Sequence, residues 1–244
     1  MKICAAQTKP VKGDIQTNIE NHIQLINLAV SNGADIIVFP ELSLTGYEPQ
    51  LAKALATDAG DYRLNDFQDI SDNKLITIVV GMPLQNNPGI TISMIIFQPG
   101  NQRQTYAKQY LHEDEYPYFI NGQQQIFLRN KIDTLAPAIC YEVFVPEHAE
   151  NAYKNGATIY MASVAKSAAG VEKAMHTLPA IAKKYSISVI MSNCVGYCDN
   201  FQSAGTTSVW NSKGELEAQL NNSGEGIIIF DTEKNELIKK IQLP

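Results

Sequence analysis

KICAAQ (2–7), TNIENHIQLINLAVSNG (17–33) and DIIVF (35–39) decide the architecture, because in succession they read as strand, helix and strand. Within the middle segment Thr17-Asn18-Ile19-Glu20 has the form of a capping box. Ile19, Ile23, Ile26 and Val30 recur at helical spacing and make one apolar face that ends near Gly33. The run Asp35 to Phe39 follows as a buried strand. The first crossover, Thr8 to Asp14, holds a single glycine, Gly13, so neither a dinucleotide-binding fingerprint nor a P-loop fits this β-α-β opening.

Outward from that opening the centre of the chain is strand-rich. Leu75 to Gly81, Ile90 to Phe97 and Gln102 to Ala107 carry β-branched residues and are broken by Pro83, Pro88 and Pro99-Gly100, a pattern of successive hairpins in a mixed sheet. One short helical region is expected between Gly46 and Leu75. The strand-helix rhythm then returns, with strands at Thr134 to Ile139, Thr158 to Ala162 and Ile187 to Ser192 and helices near Pro146 to Asn155 and Val171 to Tyr185. Two β-α halves around a strand-rich centre predict sheets packed on each other with helices outside. With no repeat, low-complexity tract or linker, residues 1–244 read as a single domain.

Composition narrows the function classes. The 244 residues carry 19 Lys plus Arg against 25 Asp plus Glu, and basic residues never run beyond two, so the electrostatic footprint of a nucleic-acid binder is missing. No apolar run reaches the roughly 18 residues of a membrane span, and the start MKICAAQTKP lacks the apolar stretch of a secretory signal. The four cysteines, Cys4, Cys140, Cys194 and Cys198, are scattered, as in a reducing cytoplasm. Only Cys194 and Cys198 lie close together and no HExxH is present, so neither a metal nor another cofactor is expected. A charged fraction of 18% leaves apolar surface for self-association.

Three polar residues stand where apolar strands end. Glu41 follows IIVFP, Lys108 follows QTYA and Cys140 follows LAPAI. Ligands of α/β proteins collect outside the C-terminal ends of strands, so a carboxylate, an ammonium and a thiol so placed suit one nucleophilic hydrolase pocket. Each also has a plainer reading. Free cysteine is among the most buried residue types, and a lone Glu or Lys after a strand is usually a cap or a surface charge.

The segments around these three residues carry more. FPELSLTGYEP (39–49), YAKQYLHEDEYPYFINGQ (106–123) and ICYEVFVPEHAENAYKNGATIYMAS (139–163) resemble, in order, the three signature blocks of the nitrilase superfamily of carbon-nitrogen hydrolases. The likeness continues through IAKKYSISVIMSNCVG (181–196) and FQSAGTTSVWNSKGEL (201–216) and so spans essentially the whole chain.

The resemblance implies an α/β fold, a four-layer α-β-β-α sandwich with two mixed sheets, dimerised through helices, and a Glu-Lys-Cys triad of Glu41, Lys108 and Cys140. It implies Glu115, or its neighbour Glu113, as a further glutamate that orients Lys108 or the leaving amine. In the chemistry so implied, Cys140 attacks a small amide to form a thioester, Glu41 shuttles protons, and Lys108 with the backbone N–H of Tyr141 holds the oxyanion. True nitrilases usually carry Trp directly after the nucleophile, so Tyr141 favours an amide, ω-amide or N-carbamoyl substrate over a nitrile. The same thioester would serve an acyl transferase, and a non-catalytic amide-binding relative is a third reading. An isochorismatase-like cysteine hydrolase, with Asp after its first strand and one doubly wound sheet, is disfavoured by Glu41 and the hairpin-rich centre.

The remaining expectations are more local. Glu142 should make a helix or loop contact, and Cys194 and Cys198 are either a CxxxC redox pair or two reduced thiols. Tyr47, Tyr116, Phe119 and Phe144 lie in loops beside the triad. Leu237, Ile238, Ile241 and Leu243 suit an edge strand or a dimer contact.

Overall fold

The computed structural model describes residues 1–243. Its strands are β1 (Lys2–Gln7), β2 (Ile36–Val38), β3 (Thr77–Gln85), β4 (Ile90–Phe97), β5 (Gln104–Ala107), β6 (Leu128–Arg129), β7 (Thr134–Ile139), β8 (Ile159–Val164), β9 (Ser188–Asn193), β10 (Val195–Cys198), β11 (Phe201–Ala204), β12 (Ser208–Trp210), β13 (Leu216–Gln219), β14 (Gly226–Asp231) and β15 (Glu236–Gln242). The helices are α1 (Ile15–Ser31), α2 (Ala52–Leu55), α3 (Asn65–Lys74), α4 (Pro146–Lys154) and α5 (Ala168–Tyr185). Among the described residues no helix is long and apolar enough to cross a membrane.

Two mixed sheets form the centre. One runs β15-β14-β1-β2-β3-β4-β5 and the other β13-β12-β9-β8-β7-β6, with β10 and β11 as a separate hairpin. Each sheet has three parallel strands at its heart, β1-β2-β3 and β7-β8-β9, flanked by antiparallel ones.

The period-2 alternation of the strands produces the layers. On β1, Ile3 and Ala5 face the space between the sheets while Cys4 and Ala6 face the α1–α3 side. On β8, Ile159 and Met161 point inward and Tyr160, Ala162 and Val164 point toward α4 and α5. The result is the expected α-β-β-α sandwich. Burying each branched side chain contributes roughly 1.5–3 kcal/mol. Two hydroxyls stitch the sheets together: Ser163 Oγ on β8 donates to the Phe39 carbonyl and Ser192 Oγ on β9 to the Val38 carbonyl, both at 2.8 Å. They anchor the end of β2 just before Glu41.

Local differences from the sequence reading have local causes. Helix α1 starts earlier than the Thr17 box suggests, because the Asp14 side chain caps it. Asp14 Oδ1 accepts from the Thr17 backbone N–H at 3.1 Å and Oδ2 from the Thr17 hydroxyl at 2.8 Å. The buried face includes Ile19 and Ile26 but also His22, Leu25 and Ala29, while Ile23 and Val30 lie at its margin. Between Gly46 and Leu75 lie α2, α3 and two tight turns rather than one short helical region. The segment read as an edge strand or dimer contact is edge strand β15, with Ile238, Ile241 and Leu243 packed toward the α1–α3 layer.

Candidate active site

Glu41 follows β2 in a turn that needs unusual backbone. Leu42 takes φ +50, and the turn lies so close to β3 that a Cβ on Gly81 would sit 2.4 Å from the Leu42 nitrogen and 2.6 Å from the Pro40 carbonyl oxygen. Lys108 follows β5. Its N–H donates to the Ile92 carbonyl at 2.9 Å, and its own carbonyl accepts from Gly122 at 2.7 Å. Gly122 is bound to this loop, since a Cβ there would lie 2.1 Å from the Ala107 oxygen. Cys140 ends β7 at φ +44, a left-handed conformation costly for a residue with a side chain, and opens the tight helical turn Cys140–Phe144.

These turns bring the three side chains together. Lys108 Nζ donates to Glu41 Oε1 at 2.8 Å and to Glu115 Oε1 at 2.6 Å, and all three side chains are almost completely shielded from solvent. Glu115, not the exposed Glu113, is the glutamate that joins the Glu41–Lys108 pair. It also accepts from the Tyr47 hydroxyl at 2.8 Å and, through Oε2, from the His112 backbone N–H at 2.7 Å. Glu41 Oε2 is buried without a hydrogen-bond partner, and the Cys140 thiol is close enough to help hold the carboxylate ionised.

Burial and charge set the proton affinities. Burial raises the Glu41 carboxyl above its usual range, against the pull of Lys108. Burial alone would lower Lys108, but the carboxylates of Glu41 and Glu115 outweigh it and hold the ammonium firmly protonated. The Cys140 thiol is pushed up to about 11, first by burial and then by Glu41, with Lys166 and Lys108 opposing.

Cys140 is partly open to a pocket of about 750 Å³ lined by Tyr47, Tyr141, Phe144, Lys166, His176 and Phe201 among others. That volume suits a small molecule. Of the aromatics noted in the sequence, Tyr47 and Phe144 reach this pocket, while Tyr116 and Phe119 border a separate one.

Glu142 makes the loop contact expected of it, and Lys166 gains a place the sequence reading did not give it. Glu142 is fully buried and accepts from the Ile139 N–H at 2.7 Å, the Gln109 N–H at 2.6 Å and the Tyr106 hydroxyl at 2.8 Å. It therefore ties the end of β7, which carries Cys140, to the loop that carries Lys108. Burial lifts its carboxyl to about 7 against these donors. Behind it, Tyr160 O–H donates to His148 Nδ1 at 2.7 Å and His148 Nε2–H to the Tyr106 oxygen at 2.9 Å, the tautomer that leaves the Tyr106 proton for Glu142.

Lys166, after β8, puts its ammonium 3.5 Å from the Cys140 sulfur. It stands as the other polar residues do, just past an apolar strand, MASVA (161–165), and that position was the available signal.

Cys194 and Cys198 are free and buried, their sulfurs 3.5 Å apart behind the Lys166 backbone. Among the described residues no three His, Cys, Asp or Glu side chains converge as a metal ligand set.

Comparison with known proteins agrees with this fold. The solved structure of a mutant amidase from Nesterenkonia sp. AN1 in complex with butyramide superposes with a TM-score of 0.85 at 22% identity, over 100% of this chain and 91% of that one. Among curated sequences, the glutamine-dependent NAD(+) synthetase of Acinetobacter baylyi is 27% identical across 98% of this chain but only 46% of its own length. The chain thus spans about half, or less, of the synthetases it matches. The hydrolase in the agr operon of Staphylococcus aureus is 23% identical over 97% of this chain and 93% of its own. The carbon-nitrogen hydrolase family model matches residues 2–240, and with so complete a match, on a two-sheet sandwich holding a cysteine at the mouth of its pocket, the chain belongs to the carbon-nitrogen hydrolase family.

Proposed function

We propose that the protein hydrolyses the C–N bond of a small amide through a Cys140 thioester. The observation that carries this reading is the Lys108 ammonium, buried between Glu41 and Glu115 beside a thiol that opens into a pocket. Glu41, whose carboxylate neighbours the thiol and keeps one oxygen, Oε2, unpaired, takes the Sγ proton as Cys140 forms its bond to the amide carbon. An ammonium has three N–H groups. Two of those on Lys108 are held by the glutamates, and the third, with the Tyr141 backbone N–H, receives the oxyanion.

Protonated Glu41 then passes its proton to the nitrogen, the C–N bond breaks, and ammonia or an amine departs. A water loses a proton to Glu41 as it attacks the thioester carbonyl. The C–S bond breaks, the acid leaves, and the Glu41 proton returns to sulfur. Glu115 holds Lys108 in place for both halves of the cycle.

Butyramide in the Nesterenkonia amidase and the glutamine dependence of the synthetases suggest short aliphatic amides and glutamine as the first compounds to try. The test is ammonia release from these, together with ω-amides and N-carbamoyl amines, by the wild type and by Cys140→Ala. Release that disappears in the variant supports the reading. Equal release by both proteins, or silence from a wild type whose Cys140 also resists alkylation, sinks it.

A further inference from the structure

We propose that Lys166 is a fourth catalytic group, a second ammonium held against the Cys140 sulfur that makes the thiolate accessible. This rests on Cys140 being the nucleophile.

The charges behind the thiol create the need for such a group. With Glu41 and Glu115 ionised and Lys108 protonated, the buried cluster carries one net negative charge, and Lys108 is already shared between two carboxylates. Losing the Cys140 proton to solvent while Glu41 stays ionised would add a second negative charge to the same desolvated space, and passing it to Glu41 leaves the total unchanged but moves the charge onto sulfur, away from the Lys108 ion pair. Coulomb energies are large where water is excluded, so a triad of this composition alone holds the thiol protonated. Lys166 restores the balance, and its opposition to the raised thiol pKa ranks ahead of that of Lys108.

Its geometry is that of a built position. Nζ lies 3.5 Å from Cys140 Sγ, 3.3 Å from the Cys140 carbonyl oxygen and 4.3 Å from the centre of the Phe144 ring. The residue is only 5% exposed, yet among the described residues no carboxylate comes within ion-pair distance of it. A nearly buried ammonium is costly without an anion, and the one group in reach able to become an anion is the thiol.

The backbone is clamped on both sides. Lys166 N–H donates to Asn193 Oδ1 at 2.9 Å, and its carbonyl accepts from Asn193 Nδ2 at 3.2 Å, from Ser203 Oγ at 3.1 Å and from the Ala204 N–H at 2.9 Å. Gly170 on α5 leaves room for the side-chain stem, since a Cβ there would meet the Lys166 Cβ at 3.3 Å. By bonding the Cys140 carbonyl, the ammonium also steadies the left-handed backbone of the nucleophile.

The test is the rate at which iodoacetamide alkylates Cys140, followed by mass spectrometry from acid to alkaline pH, in wild type, Lys166→Met and Lys166→Arg. In this reaction the thiolate forms a C–S bond and iodide leaves, so no amide substrate is needed. The groups around the sulfur are Glu41, Lys108, Glu115 and Lys166, with His112, Asp114, Lys173 and His176 along the same pocket, and all but Lys166 are unchanged in the variants. Lys166→Met should move the alkylation midpoint upward by about one pH unit or more and slow the reaction about tenfold at neutral pH. Lys166→Arg, which keeps the charge, should stay within about threefold of wild type.

A Lys166→Met profile that superimposes on wild type overturns the assignment and leaves Cys140 as nucleophile. An Arg variant as slow as the Met variant, with both melting like wild type, also overturns it, because the role would then be packing. A wild-type Cys140 that resists alkylation at every pH removes the nucleophile itself, and Lys166 with it.

Discussion

Lys108 Nζ donates to Glu41 Oε1 over 2.8 Å, with neither side chain exposed to any solvent. A pair so enclosed is not a source of net stability, since desolvation offsets the attraction, but removing one partner strands the other. Lys108→Met leaves Glu41 and Glu115 facing each other without a cation. It should destabilise the fold by about 3–5 kcal/mol and abolish ammonia release. Lys108→Arg keeps the charge but not the compact shape, and should also fail to turn over. Thermal unfolding beside an ammonia assay checks both, and an active Arg variant would sink the oxyanion role of Lys108.

In the proposed cycle, proton traffic through Glu41 sets the acid side of the pH profile. A base must be ionised to accept the thiol proton, and burial raises the Glu41 pKa above the ordinary carboxylate value. Activity should therefore fall, as pH drops, at a pH above the usual carboxylate range. Glu41→Gln retains an acceptor for Lys108 but no base, so kcat/KM should drop by about 10²–10⁴. A kcat/KM profile that stays flat into the ordinary carboxylate range would contradict this assignment.

How much of this could be read from the chain alone follows from what produces each feature. Glu41, Lys108 and Cys140 stand just after strands, and the strands are legible from β-branched runs, so their meeting in one place was legible in the sequence. The layered sandwich was legible for the same reason, because alternation along β1 and β8 sorts residues between two cores. Lys166 carries the same positional signal, but its partner is a sulfur 26 residues away rather than anything local. Glu142 is expected from the sequence to make a helix or loop contact, and it does. Its importance comes from Gln109 and Tyr106, brought to it only when β5 and β7 are both in place. The start of α1 is ambiguous in the sequence because Asp14 and Thr17 both suit a cap, and only the fold makes Thr17 a donor to Asp14.

Glu142 offers a sharp test of positioning. Three donors, the Ile139 and Gln109 amides and the Tyr106 hydroxyl, converge on one carboxylate. Glutamine has a single acceptor oxygen and presents its own N–H₂, so at least one buried donor loses its partner, at about 1–3 kcal/mol. Glu142→Gln should lower Tm by about 2–10 °C in a chain of this size. It should also lower kcat more than it raises KM, because it loosens the turns bearing Cys140 and Lys108 rather than the pocket wall. Unchanged kcat in a folded variant would confine Glu142 to the core.

Cysteine accessibility separates Cys140, the proposed nucleophile, from the other three thiols. Cys4, Cys194 and Cys198 are at most 2% exposed, whereas Cys140 opens into the pocket. A thiol reagent should therefore titrate one group quickly in the native protein and four after denaturation. Fast modification of Cys194 or Cys198 would show that the β10–β11 hairpin opens in solution.

Gly81 tests whether the Glu41 turn owes its place to close backbone contact. A methyl group there would be 2.4 Å from the Leu42 nitrogen, 2.6 Å from the Pro40 oxygen and 3.1 Å from the Glu41 carbonyl carbon, and these are backbone atoms that cannot rotate aside. The turn itself must move, and it holds one side of the ion pair with Lys108. Because Val38 and Phe39 are pinned from the other sheet by Ser192 and Ser163, the displacement cannot be spread back along β2 and falls on Glu41. Overpacking of this kind costs about 1–3 kcal/mol, whereas misplacing a reacting group by 1 Å costs about a hundredfold in rate. Gly81→Ala should therefore lose activity far beyond its loss in Tm, and Ser163→Ala combined with it should recover part of that activity by freeing β2 to yield. If the single variant keeps wild-type turnover, the close approach of β3 is not what places Glu41.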